Sequence, residues 1–261
     1  MSDIVPLFSS AASLKQGGLF VTEKAGYLAK AGRKRGPVSL CDLAKENGLT
    51  QLCLVDSTMV NFFSAYKNLK EVGCNLTFGL KLIICDDMAD KSEASCKTES
   101  KVVIFMNSGT AYQSLCSIYS KAAKDGFYYV PRLDWKTLRS MWSECLTLAL
   151  PFYSSFLAVN TLTFNVISPD LPTVPLVLRE IDQQLPFDDL INEAVDRYVA
   201  ASGAAVQPVK SIYYRDRKDA KTFCVWRCIL SRTSFDLPGM DGMYSREFCF
   251  QAYRELVGGT P

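Results

Sequence analysis

The chain has no histidine among its 261 residues, and that absence removes a whole class of chemistry. Imidazole is the commonest metal ligand and the usual general base near neutral pH. Ser-His-Asp and Cys-His nucleophile schemes are therefore excluded, along with every histidine-based metal site. Long apolar runs are missing too. The longest apolar-leaning stretch, 145–162, is broken by Pro151 and several hydroxyl residues, short of the roughly 20 apolar residues that cross a bilayer. The first residues, MSDIVPLFSSAASL, carry an acid where an export signal has its basic region, so a cytoplasmic protein is expected. Ten cysteines are spread along the chain without a C-x-x-C pair, the wrong layout for a zinc knuckle. Most are expected to be small buried apolar residues. Cys224 and Cys228 stand four apart on an expected helix and could hold half a metal site, but a second pair is lacking. There is no internal repeat and no low-complexity tract.

What is present suits a globular protein. With 48% apolar and 21% charged residues the chain can bury a sizeable core, and a single domain over residues 1–261 is expected. Short apolar runs alternate with amphipathic stretches, about 30 residues per unit, as for parallel strands joined by crossover helices. Strands are predicted over 4–8, 52–55, 76–84, 101–106, 146–150, 174–179 and 206–213. Helices fit between them at 39–47, 60–72, 111–123, 134–143, 187–201 and 218–230. The first opens with Ser39-x-x-Asp42, a capping-box-like start, and stops at Gly48, where a left-handed cap is expected. Phe62, Phe63, Tyr66 and Leu69 are assigned to one packing face of the second. This order predicts an α/β barrel.

Segments 19–38 and 86–99 fall outside the rhythm and are expected to be surface insertions. The first carries Lys24, Lys30, Arg33, Lys34 and Arg35. It reads either as a solvated loop or as a patch that touches phosphate or an acidic partner, and a net charge of +2 argues against a dedicated nucleic-acid surface.

The order of segments resembles the PHP (polymerase and histidinol phosphatase) domain of bacterial DNA polymerase III alpha subunits along nearly the whole chain. Where that family opens with histidines and H-S-x-Y-S-x-x-D-G, this chain has Val5-Pro-Leu7-Phe-Ser9-Ser10, then Ser13 and Gly17. The family's T-D-H strand end looks like Val55-Asp56-Ser57, and its G-I-K-P-I-x-G-x-E like Asn75-Leu-Thr-Phe-Gly79-Leu-Lys81. Its L-L-A-x-N-x-x-G-Y-x-N-L is similar to Ile104-Phe-Met-Asn107, followed by Tyr112 and Leu115, with Lys101 at the histidine that starts that strand. Near the end, Lys210-Ser-Ile-Tyr213 matches the family's N-D-x-H-Y.

The resemblance implies a distorted (β/α)7 barrel of PHP type. Active members gather three metal ions on histidines and carboxylates and hydrolyse phosphoesters. Here the matched positions are Val5, Leu7, Ser9, Asp56, Ser57, Lys81, Lys101 and Tyr213, with one carboxylate among them. No metal, no other cofactor and no catalysis are expected. Asp56 is expected to pair with Lys81 or Lys101, because a buried carboxylate needs a partner. By resemblance the chain is a free-standing scaffold or mimic in DNA replication that docks a protein such as a polymerase, a proofreading exonuclease or a clamp; a phage or mobile element would have use for one. Alternatives are a residual metal-dependent phosphoesterase and a structural or virion component that reuses the barrel. No membrane contact is expected, and nucleic acid enters only through the loop at Lys30, Arg33, Lys34 and Arg35.

Overall fold

The computed structural model describes residues 4–13, 17–24, 37–234 and 244–258. Among the described residues the strands run in the order β1 (Val5–Phe8), β2 (Phe20–Val21), β3 (Val38–Ser39), β4 (Gln51–Asp56), β5 (Asn75–Cys85), β6 (Ser100–Met106), β7 (Arg132–Asp134), β8 (Leu146–Leu150), β9 (Leu176–Glu180) and β10 (Val206–Ile212). The helices are α1 (Leu40–Glu46), α2 (Phe62–Glu71), α3 (Ala111–Lys124), α4 (Trp135–Ser140), α5 (Phe156–Leu162), α6 (Asp188–Ser202), α7 (Ala220–Ser231) and α8 (Phe250–Leu256). Hydrogen bonding links the strands in the order β4-β1-β10-β9-β8-β6-β5-β7, and β4 also pairs with β5. Seven strands thus form a closed ring of mixed pairings that alternate with helices, consistent with the distorted (β/α)7 barrel expected of the sequence.

The pairing is not parallel throughout, as the sequence suggested. β6 runs antiparallel to both β5 and β8. The connection from β5 to β6 holds only a short 3-10 turn, Ala94–Thr98, instead of a crossover helix. A parallel return needs such a crossover, so the chain reverses instead.

The chain divides into two compact units. The first comprises Met1–Phe78, Glu180–Leu185 and Val209–Pro261. Its β1 pairs in parallel with β10, from Val5↔Val209 to Phe8↔Ile212, and with β4 at Leu7↔Cys53. Fully buried Phe8 meets the Phe20 ring edge-on at 5.6 Å and lies 6.0 Å from Phe250. Each such ring contributes about 2 kcal/mol of burial. Phe20 is buried at the start of β2, and β2 pairs with β3. Ser39 caps α1 as expected, its Oγ accepting from the Cys41 and Asp42 amides at 3.2 and 3.4 Å, and Gly48 ends the turn at φ 62°. On α2 the buried face is Ala65 and Leu69, whereas Phe63 and Tyr66 are 70% and 44% exposed. Adjacent helical positions diverge by about 100°, so Phe62 and Phe63 do not share one packing face.

The second unit comprises Gly79–Arg179 and Pro186–Pro208. Val102, Val103 and Ile104 of β6 are buried, and α3 turns Leu115, Ile118 and Ala122 inward at helical spacing. Among the described residues no helix is long and apolar enough to cross a membrane.

Candidate functional site

Parallel strands bring their carboxyl ends to one edge, where α/β proteins place their sites. In the first unit β1 runs out into Ser9-Ser10, β4 into Asp56-Ser57 and β10 into Tyr213-Tyr214. Asp56 is fully buried at the end of β4. Its Oδ1 accepts from the Ser10 amide at 2.9 Å, and its Oδ2 accepts from the Ser10 hydroxyl at 2.6 Å. Ser10 Oγ in turn accepts from Asn61 Nδ2 at 3.2 Å and from the Ala12 amide at 3.3 Å. Ser9 Oγ donates to the Val55 carbonyl at 2.9 Å. Ser13 Oγ lies 3.2 Å from Ser57 Oγ and accepts from the Ser57 amide at 3.2 Å.

Gly18 seals this edge. Its amide donates to the Ser10 carbonyl at 2.9 Å, and the Leu19 amide donates to the Tyr213 carbonyl at 2.6 Å. A Cβ on Gly18 would stand 2.1 Å from the Ser9 carbonyl oxygen, so no side chain fits there.

Of the other matched positions in this unit, Val5 is half-buried and Leu7 buried, and neither offers a donor atom from its side chain. Tyr213 stacks on Phe223 at 5.0 Å, nearly parallel, and burial pushes its phenol up to about 12. Lys81 and Lys101 belong to the second unit, half-buried on β5 and β6. The basic cluster Lys30, Arg33, Lys34 and Arg35 lies outside the described residues.

A second polar cluster in the first unit escaped sequence reasoning. Glu180, buried at the end of β9, accepts from the Ser211 amide at 2.9 Å and from Gln183 Nε2 at 2.7 Å; the Ser211 hydroxyl also donates to it. Lys210 is fully buried, its Nζ donating to the carbonyls of Ile181 and Asp182 at 3.1 and 2.8 Å and to Gln183 Oε1 at 3.4 Å. Burial pushes the Glu180 carboxyl above its usual range and the Lys210 ammonium below its own. The turn they brace holds Asp182 and Gln184 in left-handed conformations, at φ 52° and 58°. The one signal in the sequence was the polar stretch from Arg179 to Gln184, interrupted by Ile181, at the end of an apolar strand.

A cluster of hard metal ions needs several carboxylate or imidazole donors, deprotonated and turned to one point. The matched positions supply one carboxylate, with a hydrogen bond to each oxygen, beside neutral hydroxyls and a phenol held protonated. Among the described residues no three His, Cys, Asp or Glu side chains gather as a potential metal site. What the arrangement does is satisfy buried polar groups with one another.

Compared with known families, the sequence matches the PHP domain over residues 35–203, well over half of the chain. That span includes Asp56, Ser57, Lys81 and Lys101, while Val5, Leu7, Ser9 and Tyr213 fall outside it. No curated protein matches the chain. With its strand ring, its alternating helices and this match, the chain belongs to the PHP domain family.

Proposed function

We propose that this chain is a non-catalytic relative of the PHP domain of DNA polymerase III alpha subunits, working in the cytoplasm as a protein-binding scaffold or mimic in DNA replication. It docks a replisome component such as a polymerase, a proofreading exonuclease or a clamp. The observation that carries this reading is the bonding of Asp56: both oxygens of the one carboxylate among the matched positions are occupied by Ser10, in a chain without histidine. Serines that serve as hydrogen-bond partners have taken the place of ligands, and the fold around them stays packed. A fold kept after its ligands are gone is kept for its surface.

The test is affinity capture of the full chain from a bacterial lysate, with identification of what is retained. Recovery of a polymerase, exonuclease or clamp supports the scaffold; recovery of none of them overturns it. Metal analysis and a generic phosphoester assay on the purified protein address the missing catalysis separately. Stoichiometric zinc, manganese or iron, with an activity lost in Asp56→Ala, would refute the non-catalytic half of the proposal.

A further inference from the structure

We infer that the outer face of α2 in the first unit is a docking surface for a short acidic, amphipathic protein segment. Three apolar side chains stand in solvent at every third residue along it: Val60, in the turn before the helix, is 79% exposed, and Phe63 and Tyr66 follow. The stripe that α2 buries in its own unit, Ala65 and Leu69, lies on another side of the helix. A helix that packs on its core with one stripe and carries a second apolar stripe outside has more apolar surface than its fold uses.

The outer stripe is braced from within the unit. Phe62 meets the Phe78 ring edge-on at 5.1 Å, and Tyr66 stacks on Phe62 at 6.2 Å. Lys70 Nζ lies over the Tyr66 ring, 5.7 Å from its centre. The helix itself is tied to the chain beside it by Asn68, whose Nδ2 donates to the Thr22 carbonyl at 2.8 Å. Tyr66 is thus ordered in advance, and it loses little freedom when a partner binds.

Charge selects the partner. The cations of this face are Lys67 and Lys70, both exposed, and neither forms an ion pair among the described residues. α2 carries one acid, Glu71, and Lys24 engages it. On α1, which packs beside α2, Glu46 pairs with Arg215 and Asp42 is half-buried in the first turn. The surface therefore offers apolar side chains beside two unmatched positive charges. Its complement is a segment with apolar anchors at helical spacing, flanked by carboxylates. A face one helix wide falls short of the roughly 800 Å² per side of a stable globular interface, so the partner is a short segment that docks transiently. The chain's own residues 25–36 hold Lys30, Arg33, Lys34 and Arg35 and no acid, which makes them the wrong complement for Lys67 and Lys70. The inference concerns this surface alone and does not rest on the scaffold proposal.

The test is fluorescence anisotropy of the full chain with a labelled synthetic peptide that carries leucines at helical spacing and glutamates between them, beside a counterpart with lysines in place of the glutamates. The acidic peptide is expected to bind and the basic one not. Phe63→Ala is expected to weaken binding about tenfold, as loss of an interface anchor does, with an unchanged unfolding midpoint. Lys67→Glu with Lys70→Glu is expected to abolish binding of the acidic peptide and to admit the basic one. No binding of the acidic peptide by the unsubstituted chain overturns the inference, as does equal binding of both peptides or binding that survives both sets of substitutions. Binding that appears only when residues 25–36 are replaced by a glycine-serine linker assigns the face to the chain's own segment. Self-association lost in Phe63→Ala assigns it to a second copy, and binding to phosphatidylserine vesicles lost in that variant assigns it to a lipid surface; each of these three results also overturns the inference. Lysate capture that recovers no replisome protein while the acidic peptide still binds counts against the scaffold proposal alone.

Discussion

Lys210 in the first unit and Arg132 in the second are both cations without exposed surface, yet they are held by opposite means. Lys210 donates to two main-chain carbonyls and an amide oxygen, all neutral acceptors. Arg132 pairs with Glu99 at 3.1 Å and lies against the Tyr128 ring. A lysine can shed its proton when buried, and its pKa falls accordingly; a guanidinium cannot, and must be matched by charge and by planar partners. The first arrangement braces an internal turn. The second carries a loop in which Phe127 and Tyr129 face solvent.

Removing each cation breaks the comparison most directly. Arg132→Met strands Glu99 and leaves Ser95 Oγ and the Asp90 carbonyl without their donor. A loss of about 3–5 kcal/mol is expected, as for a broken buried pair, read as a lower urea midpoint. Arg132→Lys is expected to recover little of it, because one ammonium cannot reach three separated acceptors in the geometry of a planar fork. Lys210→Met replaces the cation with an apolar chain of similar length and removes a desolvated charge. The cost is the two stranded carbonyls, about 2–3 kcal/mol. If Lys210→Met proves the more damaging of the two, opposing charge is not what distinguishes the Arg132 site.

Asp56 offers a smaller test in the first unit, where Ser10 donates to both of its oxygens. Ser10→Ala removes one charge-assisted bond and leaves the Asn61 amide without that acceptor. About 2 kcal/mol is expected to be lost, again by urea unfolding. Ser9→Ala, which frees only the Val55 carbonyl, is expected to cost less.

How far the sequence foretold this depends on what each residue needed. Strand ends such as Leu146–Leu150 and Val206–Ile212 fall within a residue of expectation because apolar runs bounded by turns mark buried strands. The antiparallel course of β6 was not legible, since it depends on the connection lacking a helix. α5 was missed because Pro151 and the serines before it looked like a break, and α8 because seven residues give too little periodicity. Asp56 was legible as a polar residue closing an apolar strand, but the identity of its partner Ser10 was not, because the two are 46 residues apart. Glu180 and Ser211, separated by 31 residues, left no motif for the same reason.

The Glu180 cluster has a pH signature of its own. Its carboxyl pKa is raised on folding, so the folded protein binds this proton more tightly than the unfolded chain does. Stability from this group is therefore full below the unfolded carboxylate pKa and declines as pH rises through the folded one. The exposed acids Glu71, Asp125 and Glu255, whose pKa values are lowered by their cationic partners, slope the other way. The difference in unfolding free energy between the unsubstituted chain and Glu180→Gln isolates the buried group. It is expected to shrink as pH rises from the acid side toward neutrality, and a difference that grows would mean that Lys210 holds Glu180 ionised.

The smallest expected effect is that of added metal. If Ser10 keeps its two bonds to Asp56, excess manganese or zinc finds few deprotonated donors among the matched positions of the first unit, and the thermal midpoint stays where it was. A ligand present at a hundred times its Kd stabilises by about 2.7 kcal/mol, which for a chain of this size corresponds to a rise of roughly 5 °C or more. A shift of that size, abolished by Asp56→Asn, would mean that Ser10 yields its place to a cation. The Asp56 site would then hold a cation by opposing charge, as Glu99 holds Arg132.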